Sequence, residues 1–191
     1  MNTTKPAAHG YKYVLAWLAC ACMLTAFAAS IVAPAHIQKE LTQAYLSGQG
    51  SFRWFGLKVY DAQFWVSEKG YNSNAPTANR YALDLRYARK LQGSKIAEAS
   101  RDEMQKLGLG SAQQRTEWLS QMEKIFPDVS DGTHLTGIYL PNEGVRFYLD
   151  GKRIGDIMDP AFAQAFFAIW LDPNTTAPQL RTALLADAAP R

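Results

Sequence analysis

The sequence contains few of the residues that build metal sites and disulfides. Only two cysteines and three histidines occur in 191 residues, and Cys20 and Cys22 both lie in an apolar run near the N-terminus. If that run is removed on export, the remaining chain has no disulfide and no thiol chemistry. No group of His, Cys, Asp and Glu has the spacing of metal ligands, so we expect neither a metal nor a cofactor.

Basic runs are also missing. The formal net charge is +3, and Lys5 and Lys12 supply two of these three charges. Proteins that bind nucleic acid need clustered Lys and Arg to neutralise phosphates, so nucleic acid is not an expected partner. The sequence also has no Gly-rich phosphate loop before a helix and no Gly-x-Ser-x-Gly elbow, which removes the support for those enzyme classes.

The first 35 residues have the pattern of a targeting segment. Lys5 and Lys12 precede an uncharged stretch at 13–35 that contains small-residue cleavage sites, as in a secretory signal peptide. An uncleaved anchor is the alternative, because about 20 apolar residues span a bilayer. We therefore predict a signal peptide or membrane anchor at 1–35 and a domain at 36–191. That domain would be periplasmic or exported, with membrane attachment through residues 13–35 if the signal is not cleaved.

The rest of the chain predicts an α+β domain. The aromatic and β-branched stretch Gly48–Val66 predicts one long strand, or two strands joined at Gly56. Alternation and turn signals predict further strands at 80–88, 133–140, 145–149 and 152–157. Capping residues and apolar spacing predict helices at 94–107, 111–126, 161–171 and 178–185. This order is typical of helices laid on a largely antiparallel sheet.

Residues suited to catalysis are sparse. His134 falls within a predicted strand, and we interpret it as a structural or exposed histidine. Asp61 and Asp84 are also strand residues, and we interpret them as solvent-facing or paired with arginine. The catalytic residues therefore remain unknown.

Arg53 is the residue with the strongest functional signal. It lies among aromatic neighbours, and a buried cation needs an anionic or aromatic partner. One interpretation is a structural contact with Asp61, Asp84 or a C-terminal carbonyl that holds two layers together. The other is an anchor for the anionic end of an apolar ligand held between the sheet and the helices. The candidate ligand-binding residues are Arg53, Lys58, Tyr60 and Tyr87.

An ordered set of short motifs resembles the bacterial chalcone isomerase-like proteins over roughly Gly48–Leu185. The motifs are Gly48-x-Gly50, Arg53, Lys58-Val59-Tyr60-Asp61-Ala62, Tyr87-Ala88-Arg89, Phe126-Pro127-Asp128-Val129, Phe166-Phe167-x-Ile169-Trp170-Leu171 and Leu180-Arg181. The resemblance implies an open-faced β-sandwich, in which helices are layered on one face of a large antiparallel sheet. It also implies a ligand cleft between the two layers.

The resemblance also bears on function, because the fold includes true isomerases and non-catalytic fatty-acid binders. Arg53 matches the arginine of the isomerases, whereas their threonine has no counterpart at Phe55-Gly56-Leu57 and their tyrosine–asparagine pair is missing. We therefore predict an exported, non-catalytic protein that binds an apolar or amphipathic molecule such as a fatty acid through Arg53. The alternatives are an isomerase of the intramolecular lyase type, with Tyr60 or Tyr87 as the acid, and a structural envelope protein.

Overall fold

The computed structural model describes residues 1–3 and 31–190. The chain divides into a segment, Met1–Ser30, and a compact unit, Ile31–Arg191. Residues 13–30 of the predicted targeting stretch at 13–35 lie outside the described residues, so signal peptide or anchor stays a prediction. Among the described residues, no helix combines the length and apolar character that a membrane span requires.

The compact unit is built on one six-stranded sheet. The elements are, in chain order, α1 Ala35–Glu40, β1 Tyr45–Trp54, β2 Leu57–Val66, β3 Tyr81–Tyr87, α2 Gly93–Lys106, α3 Ala112–Ile125, β4 His134–Leu140, β5 Gly144–Leu149, β6 Lys152–Ile157, α4 Pro160–Leu171 and α5 Pro178–Leu184. Each strand pairs antiparallel with the next in the chain. The predicted fold class, helices on a large antiparallel sheet, is confirmed.

The stretch Gly48–Val66 forms two strands, as the second of the two sequence interpretations proposed. Phe55 and Gly56 both have positive φ, 47° and 78°, and connect β1 to β2. This combination is that of a two-residue type I′ hairpin, whose twist matches that of the flanking strands. The pairing shifts register after Phe52. Phe52 pairs with Tyr60, whereas the next residue, Arg53, pairs with Lys58.

Side-chain caps mark the starts of α3 and α4, whereas α2 and α5 begin without one. The Ser111 side chain accepts a hydrogen bond from the backbone N–H of Gln114, whose side chain accepts one from the Ser111 N–H, a complete capping box. The Asp159 carboxylate accepts the N–H groups of Ala161 and Phe162 at the start of α4. Such caps satisfy backbone donors that a helix leaves unpaired in its first turn.

The main core lies between the sheet and helices α2 to α5. A helix that is apolar on nearly every side is predicted to be buried, and α4 is buried along most of its length. Its ring side chains continue into the sheet, where Phe167 packs edge-on against Tyr81, and Tyr81 stacks on Tyr139 with ring centroids 4.6 Å apart. Each fully buried aromatic contributes roughly 1.5–3 kcal/mol through burial.

Helix α1 lies on the opposite face of the sheet and was not predicted. Ile37 and Leu41 pack there in a smaller apolar cluster with Trp65, Ala82 and Ile138. The helix has six residues and no side-chain cap, so it left no sequence signal. We call this surface of the sheet the α1 face, and the surface under α2 to α5 the helix-layer face.

Candidate functional site

Tyr60 and Tyr87 lie together on the helix-layer face. They are cross-strand partners, and their rings meet edge to face with centroids 5.9 Å apart. The indole N–H of Trp170 in α4 donates to the Tyr60 hydroxyl at 3.0 Å. Burial raises the pKa of both tyrosines well above the ordinary value, so both are neutral at physiological pH.

Lys58 and Arg53 do not join these tyrosines. The Lys58 ammonium lies 2.6 Å from the carboxylate of Asp61, which faces away from Tyr60 by strand alternation. The Arg53 side chain is exposed and donates to the Gly56 carbonyl at 3.2 Å. Strict alternation along β2 would place Lys58 and Tyr60 on one face, but the register shift at this point inserts Val59 and separates them.

The four candidate ligand-binding residues therefore separate into two pairs. Tyr60 and Tyr87 belong to the interior between the sheet and the helices, whereas Lys58 and Arg53 belong to its exposed end. Their assignment to a ligand stays a prediction. Among the described residues, Arg53 takes part in no buried salt bridge. The structural interpretation of that residue is therefore corrected to a contact with its own turn.

A cavity opens at the other end of the helix-layer face. Its volume is about 210 Å³, and it lies between β3, α4 and the loop at 71–77. The lining is largely aromatic and aliphatic, with a few polar groups: Tyr71, Ser73, Pro76, Thr77, Tyr81, Leu109, Gln164, Phe167, Ala168, Leu171, Asp172 and Pro173. An apolar cavity with a small number of polar groups is the usual form of a small-molecule site.

Two phenol groups in this cavity have no hydrogen-bond partner among the described residues. They belong to Tyr71 and Tyr81, both buried. Burial raises the pKa of Tyr71 to about 12 and that of Tyr81 well above the ordinary value. The charge of Arg181 lowers the pKa of Tyr71 and that of Asp172 raises it, so the charges near this phenol oppose each other. Two neutral donors suit a ligand with an oxygen acceptor at one end.

A larger groove of about 400 Å³ has a different character. It lies near the end of α1 and is lined mainly by polar side chains, including Glu40 and Arg80, which pair with each other at 3.3 Å. Glu40 also accepts hydrogen bonds from Arg146 and Tyr148. Because its lining is mainly polar and charged, this groove is a poorer site for an apolar ligand than the smaller cavity.

The α1 face carries a polar network that the sequence did not reveal. Asp84 is 2% exposed, and its carboxylate meets the Nδ1 atom of His134 at 2.7 Å and accepts the Thr136 hydroxyl at 2.6 Å. His36 lies 2.9 Å from the same hydroxyl, and since that hydrogen goes to Asp84, the His36 Nε2–H must donate. The expectation of a solvent-facing or arginine-paired Asp84 is therefore wrong.

This network is arranged for structure rather than catalysis. Asp84 orients the His134 ring, whose Nε2 atom has no partner in the described part of the chain. The hydroxyl within this network belongs to Thr136, which is fully buried and already donates to Asp84. An activated nucleophile needs access to a substrate, which Thr136 does not have. Within the described residues, no group of three or more acidic, His or Cys side chains could hold a metal ion.

The network makes stability depend on pH. The hydrogen bond to Asp84 raises the pKa of His134 above 6.5, so the folded state binds this proton more tightly than the unfolded state. The resulting stabilisation is complete below about pH 6.5 and is lost as the pH rises through the higher, folded-state pKa. We expect the wild type to have a higher free energy of unfolding than His134→Gln. This difference should be larger at about pH 5.5 than at about pH 9.

Denaturant unfolding of both proteins across this range measures the difference. Burial lowers the pKa of His36, so that residue acts with the opposite sign and removes stability as the pH falls. His36 is present in both proteins, and its contribution largely cancels in the comparison. A difference that stays constant with pH would contradict the assignment of the charged pair to His134.

Comparisons with known proteins agree with this architecture. A model of the family described as "Chalcone isomerase-like" matches residues 28–186. A protein of Haemophilus influenzae, described as an uncharacterized protein, is 30% identical over 138 residues. That alignment covers 72% of this chain and 66% of the relative, so the chain spans just under two thirds of that protein's length.

A solved structure shares the fold. The crystal structure of a fatty-acid binding protein from Arabidopsis thaliana superposes with a TM-score of 0.59 at 12% identity. The superposition covers 77% of this chain and 89% of the plant protein. At this level of identity the likeness concerns the fold alone.

Proposed function

Because this chain belongs to the chalcone isomerase-like family, we propose that it binds a small apolar or amphipathic molecule, such as a fatty acid, without transforming it. The binding site is the cavity between β3, α4 and the loop at 71–77. The oxygen end of the ligand accepts hydrogen bonds from Tyr71 and Tyr81, and its apolar part packs against Phe167 and Leu171.

The observation that carries this proposal is the pair of phenol groups without partners in an apolar cavity. Neither phenol oxygen is among the fully buried, unpaired polar atoms of the described residues, so both are accessible from the cavity. A ligand oxygen would satisfy both Tyr71 and Tyr81, and their raised pKa values keep them protonated as donors. The plant neighbour of the same fold is described as a fatty-acid binding protein, which supports the chemical class of ligand.

The cavity has little that could catalyse proton transfer. The Asp172 carboxylate already accepts the backbone N–H of Asn174 at 2.7 Å. His36 and His134 both lie on the α1 face, so the sheet separates them from the cavity. Neutral tyrosines with strongly raised pKa values are poor general bases near pH 7. These features favour binding over an isomerase reaction.

Export is the second part of the proposal. A basic start followed by the uncharged stretch at 13–35 supports transfer across the cytoplasmic membrane, with the domain acting outside it. Fractionation of cells that express the full chain tests this part separately, because a domain found only in the cytoplasm would contradict export while leaving ligand binding intact.

Ligand binding is tested by native mass spectrometry and calorimetry on protein from which lipids have been extracted. The cavity is smaller than the roughly 300–1,000 Å³ of sites for drug-sized ligands, so we expect affinity to peak at short to medium fatty acids. Tyr81→Phe keeps the ring stack and removes one donor, and we expect it to weaken binding about fivefold to tenfold. Ala168→Trp fills the cavity and should abolish binding.

Arg53→Ala is the comparison that separates the two anchors. If the cavity holds the ligand, Arg53→Ala binds as the wild type does, because the Arg53 guanidinium lies at the opposite end of the sheet, where it donates to Gly56. A loss of binding in Arg53→Ala with normal binding in Ala168→Trp would assign the ligand to Arg53 instead. No binding of any fatty acid by the wild type would overturn the proposal.

A further inference from the structure

The turn between β1 and β2 exposes an unusual amount of apolar surface. Trp54, Phe55 and Leu57 are 57%, 90% and 59% exposed, around Gly56. We call Trp54–Leu57 the hairpin tip. Single exposed apolar residues are ordinary, but three large ones in succession at a protruding turn mark a contact surface.

The backbone conformation of the tip is also unusual for the residue that it holds. Phe55 has φ of 47°, a conformation that bulky residues rarely adopt and that Asn, Asp and Gly favour. The turn between β5 and β6 has the same form and uses Asp150-Gly151, the ordinary solution. A phenylalanine at this position is therefore unfavourable for the turn and gains nothing from burial. Local strain that the fold tolerates at an exposed site points to a function.

Basic residues lie at the same end of the sheet as the tip. The Arg53 guanidinium lies next to it, and the backbone N–H of Ala88 donates to Val59, which brings the exposed Arg89 and Lys90 to the same end of the sheet. Acids are present there too. Asp61 pairs with Lys58 and approaches Arg86, and Asp131 and Asp150 lie nearby. Arg53, Arg89 and Lys90 have no acidic partner among the described residues.

We propose that the hairpin tip inserts into the interface of a bilayer that contains anionic lipids. Trp, Phe and Leu are the side chains that enter the boundary between headgroups and acyl chains, where the indole of Trp54 is especially favourable. Arg53, Arg89 and Lys90 then contact the anionic headgroups, each contributing a modest attraction that salt weakens.

The size of the tip favours a bilayer over a protein partner. Three partly exposed side chains offer on the order of 400 Å², whereas a stable protein interface takes about 800 Å² from each partner. A bilayer needs no matching surface and accepts a small apolar wedge. The inference does not depend on the proposed ligand, because it concerns the opposite end of the sheet from the cavity.

The experiment measures quenching of Trp54 by brominated lipids in the full chain, mixed with vesicles of phosphatidylcholine with or without phosphatidylglycerol. Trp54 is the exposed tryptophan of the described part, since Trp65, Trp118 and Trp170 are buried. Subtracting the signal of Trp54→Phe removes the contributions of every other tryptophan, including Trp17. We expect quenching of the wild type that increases with phosphatidylglycerol and falls with added salt.

Phe55→Asn is the decisive variant. It removes the largest apolar side chain of the tip and creates an Asn-Gly turn, which suits the same backbone, so thermal unfolding should show equal or higher stability. We expect insertion of the tip to fall about tenfold. Met158→Gln is the matched control, because Met158 is 57% exposed at the opposite end of the sheet, and it should insert as the wild type does.

Three results would overturn the proposal. The first is an unquenched Trp54 in both kinds of vesicle. The second is an equal loss of insertion in Phe55→Asn and Met158→Gln. The third is a dimer in solution that Phe55→Asn dissociates, without any quenching of Trp54, which would assign the tip to contact with a second copy of the chain.

Discussion

Gly48→Ala is expected to lower the free energy of unfolding by about 3 kcal/mol, the upper part of the range for overpacked positions. A Cβ atom at Gly48 would lie 2.0 Å from the Ala183 carbonyl oxygen and 2.6 Å from that of Leu184. Both are backbone atoms of the segment that ends α5, so the helix must move away from β1.

The displacement would remove several interactions at once. The Ser47 hydroxyl donates to the Leu184 carbonyl at 2.9 Å, and the Asp187 N–H donates to the Ser47 carbonyl at 2.8 Å. Leu180 and Leu184 are buried beneath the helix and would become more exposed. We therefore expect faster proteolysis of the last residues, together with the lower denaturant midpoint.

Gly108→Ala provides the control for Gly48→Ala. Gly108 has positive φ but no neighbour within 4 Å of the added methyl group, so its cost is limited to local strain of about 1–2 kcal/mol. If the two variants lose the same stability and are digested equally slowly, the close approach of α5 to β1 is not what requires glycine at position 48.

Asp84→Ala should cost about 3 kcal/mol, because it removes a buried acceptor that two side chains share. His134 loses the group that holds its ring, and the buried Thr136 hydroxyl must turn to His36. Asp84→Asn should cost less, about 1 kcal/mol, since its amide oxygen can still accept the Thr136 hydroxyl. Equilibrium unfolding in urea near neutral pH measures both.

Asp61→Ala is the matched control for the buried acid. The Asp61 side chain also lies on the α1 face and pairs with Lys58, but both side chains are 35% exposed. An exposed ion pair contributes about 0–1 kcal/mol, so this variant should be nearly as stable as the wild type. Equal losses in Asp84→Ala and Asp61→Ala would show that burial of the Asp84 network adds nothing.

Much of the architecture could be predicted because its signals are local. The capping box at Ser111, the Asp159-Pro160 helix start and the Asp150-Gly151 hairpin each depend on a few consecutive residues. The apolar composition of α4 likewise predicted that this helix is buried, and the order of elements predicted the antiparallel sheet. The family resemblance named the same fold independently.

The candidate site was less accessible from sequence, because it depends on pairing between distant residues. One inserted residue, Val59, places Lys58 and Tyr60 on different faces, and no local sequence pattern predicts such a shift. Asp84 and His134 are 50 residues apart, so their contact requires the register of β3 against β4. The cavity beside Tyr81 depends equally on where α4 packs.

Local sequence was thus sufficient for the elements from β2 to α5 and their approximate bounds, but not for α1 or for the start of β1 at Tyr45. The folded chain alone assigned Arg53 to an exposed turn, Tyr71 and Tyr81 to a cavity, and Asp84 to a buried network. The physical reason is that the period of a strand is two residues, so a shift of one residue in long-range pairing exchanges inside and outside without changing any local propensity.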